Sequence, residues 1–482
     1  MFDPTVKFSL INKLDNRWDS TIKESKIVTT FEKAKQAIIS RLENISILQS
    51  IGQCLKLMSF CLSILLFICL PLPQFVNDKQ GLAIIVMAAA ICWLFRKLPF
   101  KKENYKANFI DALVLLFLCF NIVSTCSSHY LAASIHGLLK LIVYVVAYFL
   151  LSEQLKESSK WQFVFVAILL IGGALVSIDG LYQYKIGVAP LATWEDPNIE
   201  NQATRIYATF NNPNLLAGFL LPLIMFSGSL LFATWNKGKW LVSVLPAVLT
   251  VLLTVALVLT GSRGGYIGAF AGYLGLFFIG IARLWQGKKK RRFFIPVLLL
   301  LLSVGAALAF HYMPTFQQRI VSIFAGREHS SNSFRMNVWL SSLKMLKDNW
   351  LIGIGVGNQA FRLAYGLYMR SGFDALGTYC VPLEIAVETG IFGLIAAISL
   401  VGGLFYRAHL VFWSKTFSFK QPLQQSESSE NIFIYKQWLT AGAAVALIAM
   451  LSHGLVDTVF FRPQVEFIFV LLAATIVANS QT

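Results

Sequence analysis

The sequence predicts an all-α polytopic membrane protein of about twelve transmembrane helices, with both termini inside and a large, partly helical outer loop. Three observations predict it. The chain has 482 residues, of which 56% are hydrophobic and only 13% charged, with a mean hydropathy of +0.64. Its apolar residues fall into runs close to the ~20 residues needed to cross hydrocarbon. Its Lys and Arg gather in alternate connections between those runs. Such a composition excludes a cytosolic enzyme, a disordered scaffold and a nucleic-acid-binding module. The net charge of +17 reads as a topology signal, because it sits in blocks such as Lys288-Lys289-Lys290-Arg291-Arg292 between apolar runs.

Residues 1–53 are polar and mixed in charge, and form a cytoplasmic arm. Within it Phe31, Ala34, Ile38, Leu42 and Ile45 share one helical face, which reads as an interfacial amphipathic helix or as a solvated arm. Spans one to nine occupy 54–311, at 54–74, 81–97, 109–126, 132–151, 161–184, 213–234, 239–260, 264–285 and 293–311. Spans ten to twelve occupy 380–479, at 380–407, 436–455 and 462–479. The loop after span two carries Lys97, Lys101, Lys102 and Lys106 and is placed inside. Lys237 and Lys239 put the loop after span six inside, and the polar loop 408–435 follows. Segments 185–212 and 312–379 are then outside. The second holds seven basic residues against three acidic ones. A helix near 333–349 offers Phe334, Val338, Trp339 and Leu340 for burial, so 312–379 reads as a folded periplasmic cap. The seven cysteines lie in or beside apolar runs without metal spacing, and are expected to be packing residues. No metal and no cofactor is expected.

Candidate chemistry collects on the outer side. Arg205, Asn211, Asn212 and Asn214 precede and open span six. They read as a helix start, with Pro213 in its first turn, or as polar substrate-binding groups. Ser262-Arg263-Gly264-Gly265 joins spans seven and eight. Arg is depleted on this side, and its planar fork binds phosphate or carboxylate bidentately, so Arg263 reads as part of an anion site. Arg335 and Trp339 lie in the cap, upstream of the glycine run Gly353, Gly355, Gly357. That run reads as a tight loop folding back over the membrane. His453 reads as a general base oriented by Asp457 four residues on, or as a His satisfying a span end. Inside the membrane, His136 and Lys140 lie one turn apart, with Asp179 the nearest candidate counter-ion. Glu384 and Glu388, also one turn apart, are the outward carboxylates of span ten.

The order TFNNPNLLAG, LTGSRGGYIG, FRMNVWLSSLKMLKDNWLIGIGVGNQAF and VPLEIAVETGIFGL resembles the O-antigen ligase/polymerase (Wzy_C-like) superfamily of membrane glycosyltransferases. Segments RIYATFNNPNLLA, SIFAGREHSSNSFRMNVW, TYCVPLEIAVETG and GLVDTVFFRPQ resemble its cyanobacterial IctB-type branch, which is labelled as bicarbonate transporters. The resemblance implies that Arg263 and Arg335 hold the diphosphate of a polyprenyl-linked glycan donor, without a metal. It also implies a His before the Leu-x-x-x-x-Glu-x-Gly stretch, here Leu383 to Glu388 and Gly390. That position is Tyr379, and the following Asn is Cys380. Tyrosine is a poor base at neutral pH, so His453, Glu384 or Glu388 would have to replace it. Three functions follow. One is transfer or polymerisation of a polyprenyl-diphosphate-linked glycan at the periplasmic face of the inner membrane. Another is bicarbonate transport past Lys140, His136 and Asp179. The third is a non-catalytic membrane subunit. Membrane lipid is a partner in each, and nucleic acid in none.

Overall fold

A computed structural model describes residues 4–25, 29–30, 46–77, 80–96, 107–188, 204–236, 240–284, 310–311, 314–324, 326, 330–413 and 427–481. The amphipathic face at 31–45, the Lys288–Arg292 block and nearly all of the span read at 293–311 lie outside these residues. The described residues are mostly helical, with no strand among them. In chain order the helices are α1 (Pro4–Glu24), α2 (Ser46–Cys69), α3 (Pro73–Asn77), α4 (Gln80–Phe95), α5 (Phe109–Ser127), α6 (Leu131–Glu157), α7 (Ser159–Ile186) and α8 (Pro213–Asn236). They continue as α9 (Trp240–Leu259), α10 (Arg263–Leu284), α11 (Pro314–Phe324), α12 (Ser330–Asp348), α13 (Asn358–Tyr365), α14 (Val381–Trp413), α15 (Glu427–Gly454) and α16 (Pro463–Gln481). Ten of them are long and apolar enough to cross a membrane, and α4 is a shorter apolar helix. The chain is a polytopic membrane protein.

Burial sorts the spans into a centre and a ring. In α8, 94% of the most apolar window is buried inside the protein, and in α16 83%, against 28% in α9 and 33% in α10. The ring helices turn residues such as Leu241, Leu245 and Phe270 outward, as lipid-facing helices must. Small residues bring ring and central helices together, since apolar burial alone gives no preference for helix over lipid. A Cβ on Gly268 of α10 would lie 2.7 Å from the carbonyl oxygen of Ala449 in α15. Deeper in the bundle, Trp438 of α15 stacks on Phe232 of α8 and meets the edge of Phe412 in α14.

Hydrogen bonds between connections show which span ends share a face. At one end Asp15 of α1 accepts from Arg407 of α14 at 2.5 Å and from the Phe109 backbone N–H at 2.8 Å. Arg407 also donates to Ser480 of α16 at 2.8 Å, and Lys56 pairs with Glu157. Asn108 and Asp111 form a reciprocal cap on α5. At the other end Thr209 donates to the Pro71 carbonyl, Gln464 to that of Phe75, and Ser128 to that of Ile354. The chain therefore runs up and down. The connections read as inner meet at the first end, and those read as outer at the second.

Two boundaries differ from the sequence reading. Helix α14 runs to Trp413 and α15 starts at Glu427, so the loop read at 408–435 is shorter at both sides. Helix α14 is also broken. Gly390 has φ 69° and ψ −170°, and the cap segment after α12 fits into the gap. Ile354 N–H donates to Val387 O at 3.0 Å, Gly355 N–H to Glu388 O at 3.1 Å, and Ile391 N–H to Trp350 O at 2.8 Å. A Cβ on Gly390 would lie 2.3 Å from Leu351 O, and one on Gly353 2.3 Å from Glu388 O. Glycine is required at both positions, by the left-handed φ and by the backbone approach.

Candidate functional site

The segment 204–212 is pinned from below. Gln183 of α7 accepts from the Tyr207 and Ala208 N–H groups at 3.2 and 2.8 Å. After a short turn at Ala208–Phe210, Asn211 takes φ 54°, a left-handed conformation that asparagine tolerates. Its side chain is exposed, and its place is that of a turn residue. Asn212 Oδ1 accepts from the N–H groups of Asn214 and Leu215 at 2.8 and 3.2 Å, capping α8 with Pro213 first in the helix. Of the polar groups read here, this leaves Arg205 and Asn214 facing the bundle end.

Arg205 reaches across to the α9–α10 turn. Its Nε donates to Thr260 O at 2.9 Å, and its Nη2 to Asn214 Oδ1 at 3.2 Å. Asn214 Nδ2 donates to Asp457 Oδ2 at 3.0 Å, and Arg335 Nη2 reaches the same oxygen at 3.1 Å. Asp457 Oδ1 accepts from the Thr458 and Val459 N–H groups at 2.7 and 3.2 Å. One carboxylate, 5% exposed, thus ties together the start of α8, the cap helix α12 and the α15–α16 connection. Arg263, first residue of α10, donates to Asn332 Oδ1 at 2.8 Å and Ser322 O at 3.3 Å. It feels the positive charges of Arg335 and Arg319, and Tyr266 those of Arg205 and Arg319. Four guanidinium groups from four separate elements therefore gather at the end of the bundle where α8 and α10 begin. Such an array recognises a multiply charged anion.

Tyr379 stands beside this cluster. It has φ 56°, its ring lies 5.9 Å from the Arg335 guanidinium carbon, and Phe334 meets its edge. Burial pushes its hydroxyl above the usual value, the Asp457 charge adds to this, and Arg335 offsets part. The phenol is held protonated at neutral pH.

The remaining residues singled out in the sequence lie as follows. His453, 1% exposed, ends α15 in a slot cleared by glycine: a Cβ on Gly264 would lie 2.6 Å from its Cδ2. Its Nε2 is buried without a hydrogen-bond partner. Helix α15 stops at Gly454, and Asp457 spends its oxygens on Arg335, Asn214 and two backbone N–H groups, so it does not orient the ring as read. Glu384 folds back onto the 377–380 turn, its Oε2 accepting from Thr378 N–H at 2.9 Å and Thr378 Oγ1 at 3.3 Å. Glu388 accepts from the Gly357 N–H and feels Lys140. Trp339 is half-buried on α12, its indole N–H without a partner. Lys140 and His136 are exposed on α6, with His136 Nδ1 against Ala132 O at 2.8 Å. Asp179 on α7 neighbours Tyr207 rather than Lys140. Of the three residues read as lining an ion path, His136 and Lys140 thus stay together on α6, and Asp179 lies apart on α7. Sequence reasoning gave Arg319 no role beyond its charge, and it singled out the stretch from Ser331 to Trp339 without giving Asn332 a role of its own, although both residues lie in the basic, Ser/Asn-rich half of the cap.

A family model described as O-antigen ligase matches residues 248–398. The match contains Arg263, Arg319, Arg335 and Tyr379; Arg205, Asn214, His453 and Asp457 lie outside it. It supports the superfamily and an O-antigen ligase-like function in general. No curated protein matches the chain.

Proposed function

We propose that the protein handles a polyprenyl-diphosphate-linked glycan at the periplasmic face of the inner membrane, transferring or polymerising the glycan. The observation that carries this is the convergence of Arg263 and Arg335, with Arg319 and Arg205, at the end of the bundle where α8 and α10 begin. A lipid diphosphate presents its anionic group at that level. In the reaction an acceptor hydroxyl attacks the anomeric carbon, a new glycosidic bond forms, and the bond to the diphosphate oxygen breaks. The guanidinium groups stabilise the charge left on the departing diphosphate. The acceptor proton must go to a base. Tyr379 is protonated, while Glu384 and Glu388 are engaged by Thr378 and Gly357. Of the groups read as bases, His453 is the one with a ring nitrogen, Nε2, that no hydrogen bond engages.

The test is binding of an undecaprenyl-diphosphate-linked glycan to the purified protein, wild type beside Arg263→Ala and Arg335→Ala. Binding by wild type that both substitutions abolish is expected. A folded wild type that does not bind would overturn the reading for that lipid.

A further inference from the structure

The segment from Trp350 to Gly357 reads Trp-Leu-Ile-Gly-Ile-Gly-Val-Gly, eight residues without one polar side chain. Ile354 and Val356 are buried, Ile354 in a cluster with Val338 and Phe361 of the cap, which leaves Trp350, Leu351 and Ile352 to account for. The level of the segment is given by the spans that it touches. Ile391, which donates to Trp350 O, lies beyond the break at Gly390, nine residues inside α14. Ser124 of α5 donates to Glu388 O at 2.5 Å, one turn before that helix ends, and Phe120 stacks on Phe392 a turn deeper. In α6, a Cβ on Gly137 would lie 2.3 Å from Val356 O, six residues inside the helix start. At 1.5 Å per residue these contacts set the Trp350 and Val356 sides of the segment about 5–10 Å below the ends of α5 and α6, while Ile354 and Gly355 between them meet Ser128 at the end of α5.

Irregular backbone at that depth is tolerated only when its polar groups are satisfied within the protein. Here Gly353 N–H donates to Asn349 O, Ile354 N–H to Val387 O and Gly355 N–H to Glu388 O, while Ile354 O accepts from Ser128 Oγ at 2.6 Å and Trp350 O from Ile391 N–H. One edge of the segment is not covered by the described residues. Trp350, Leu351 and Ile352 are 57%, 42% and 36% exposed. They adjoin Ile391, Phe392 and Ile395 of α14, also exposed, so the apolar edge continues the lipid-facing surface of a span.

We propose that Trp350–Gly357 is a re-entrant loop seated in the outer leaflet, with the Trp350-Leu351-Ile352 edge against lipid hydrocarbon chains. The cap is then anchored in the bilayer, not laid over it. The proposal rests on the membrane fold and is independent of the glycan.

The test uses the full chain in lipid nanodiscs, labelled with 5-fluorotryptophan. The Trp350 resonance is the one lost in both Trp350→Phe and Trp350→Tyr. Two relaxation agents are compared, dissolved oxygen, which concentrates in hydrocarbon, and a water-soluble nickel chelate. Broadening of Trp350 by oxygen, with little effect of nickel, is expected. Broadening by nickel to the extent seen for a tryptophan in water would overturn the proposal. A resonance insensitive to both agents would also overturn it, because the edge would then be covered by protein.

Discussion

Arg335 and Asp457, 122 positions apart, are joined by a 3.1 Å ion pair that fastens the cap helix α12 to the connection between the last two spans. The pair is largely buried, with side-chain exposures of 16% and 7%. Removing one partner of a buried pair strands the other's charge.

Asp457→Ala should therefore destabilise the protein by about 3 kcal/mol, the low end for a broken buried pair. Two backbone N–H groups and the Asn214 amide lose their acceptor as well. Asp457→Asn keeps an oxygen for the backbone and should cost less. Thermal unfolding of the purified variants, followed by tryptophan fluorescence, checks the order. Equal stability of Asp457→Ala and wild type would contradict it.

Arg263 allows a sharper test of ligand chemistry than alanine. Its Nη1 donates to both Asn332 Oδ1 and Ser322 O, and lysine would put a point charge in place of the planar fork. Arg263→Lys should weaken lipid-diphosphate binding at least about tenfold, or 1.4 kcal/mol, despite an unchanged net charge. Titration of the lipid against both proteins at fixed salt decides it. If lysine binds as tightly as arginine, charge alone is at work.

Tyr379 makes a pH prediction outside the spans. Its hydroxyl is held above its usual value by burial first, then by Asp457. The folded protein therefore keeps the proton more tightly than the unfolded chain. The resulting stability is fully present below about pH 10, the unfolded tyrosine value, and is lost as pH rises through the folded one. Tyr379→Phe should accordingly narrow the fall in unfolding temperature between pH 9 and about pH 11. An identical fall in both proteins would show that the phenol contributes nothing there.

The spans were legible because a run of apolar residues is a local property, and Asn212-Pro213 was legible as a helix start because cap chemistry is local too. The break in α14 was not. Nothing in Leu-Glu-Ile-Ala-Val-Glu-Thr-Gly-Ile-Phe distinguishes a glycine inside a span from one with positive φ until Leu351 is seen packed on it. Asp457 was read as a partner of His453 on the assumption of a continuing helix. Gly454 ends that helix, and the carboxylate turns to Arg335 instead. Asp179 and Lys140 lie on different helices, and which faces those helices share is a tertiary fact. The arginine cluster was half legible. Arg on the face that should lack it was a signal, but Arg319 had none beyond its charge.

The glycines at the break separate strain from collision. Gly353 and Gly372 both have φ 83°. At Gly372 a Cβ would meet nothing within 4 Å, whereas at Gly353 it would lie 2.3 Å from the Glu388 carbonyl oxygen. Gly372→Ala should cost about 1 kcal/mol from backbone strain alone. Gly353→Ala should cost several-fold more or prevent folding, because neither backbone can move without breaking the bonds between 350–355 and 387–391. Expression and unfolding temperature, measured side by side, check the contrast.

Asp15 offers a prediction at the opposite end of the bundle. Arg407 is 2% exposed, and its charge is met by Asp15 at 2.5 Å, with Ser480 Oγ on its other nitrogen. Asp15 also caps α5 by accepting from Phe109 N–H. Helix α1 thus contributes a carboxylate that two spans use. Asp15→Ala leaves a guanidinium buried with a neutral partner, so about 3 kcal/mol of stability should be lost. Removing the whole pair, in Asp15→Ala with Arg407→Leu, should recover part of it, because an apolar side chain of similar size carries no desolvation cost. Unfolding of the two single variants and the double variant closes the cycle. Additive losses would mean that the two residues act independently and that α1 is not held through this pair.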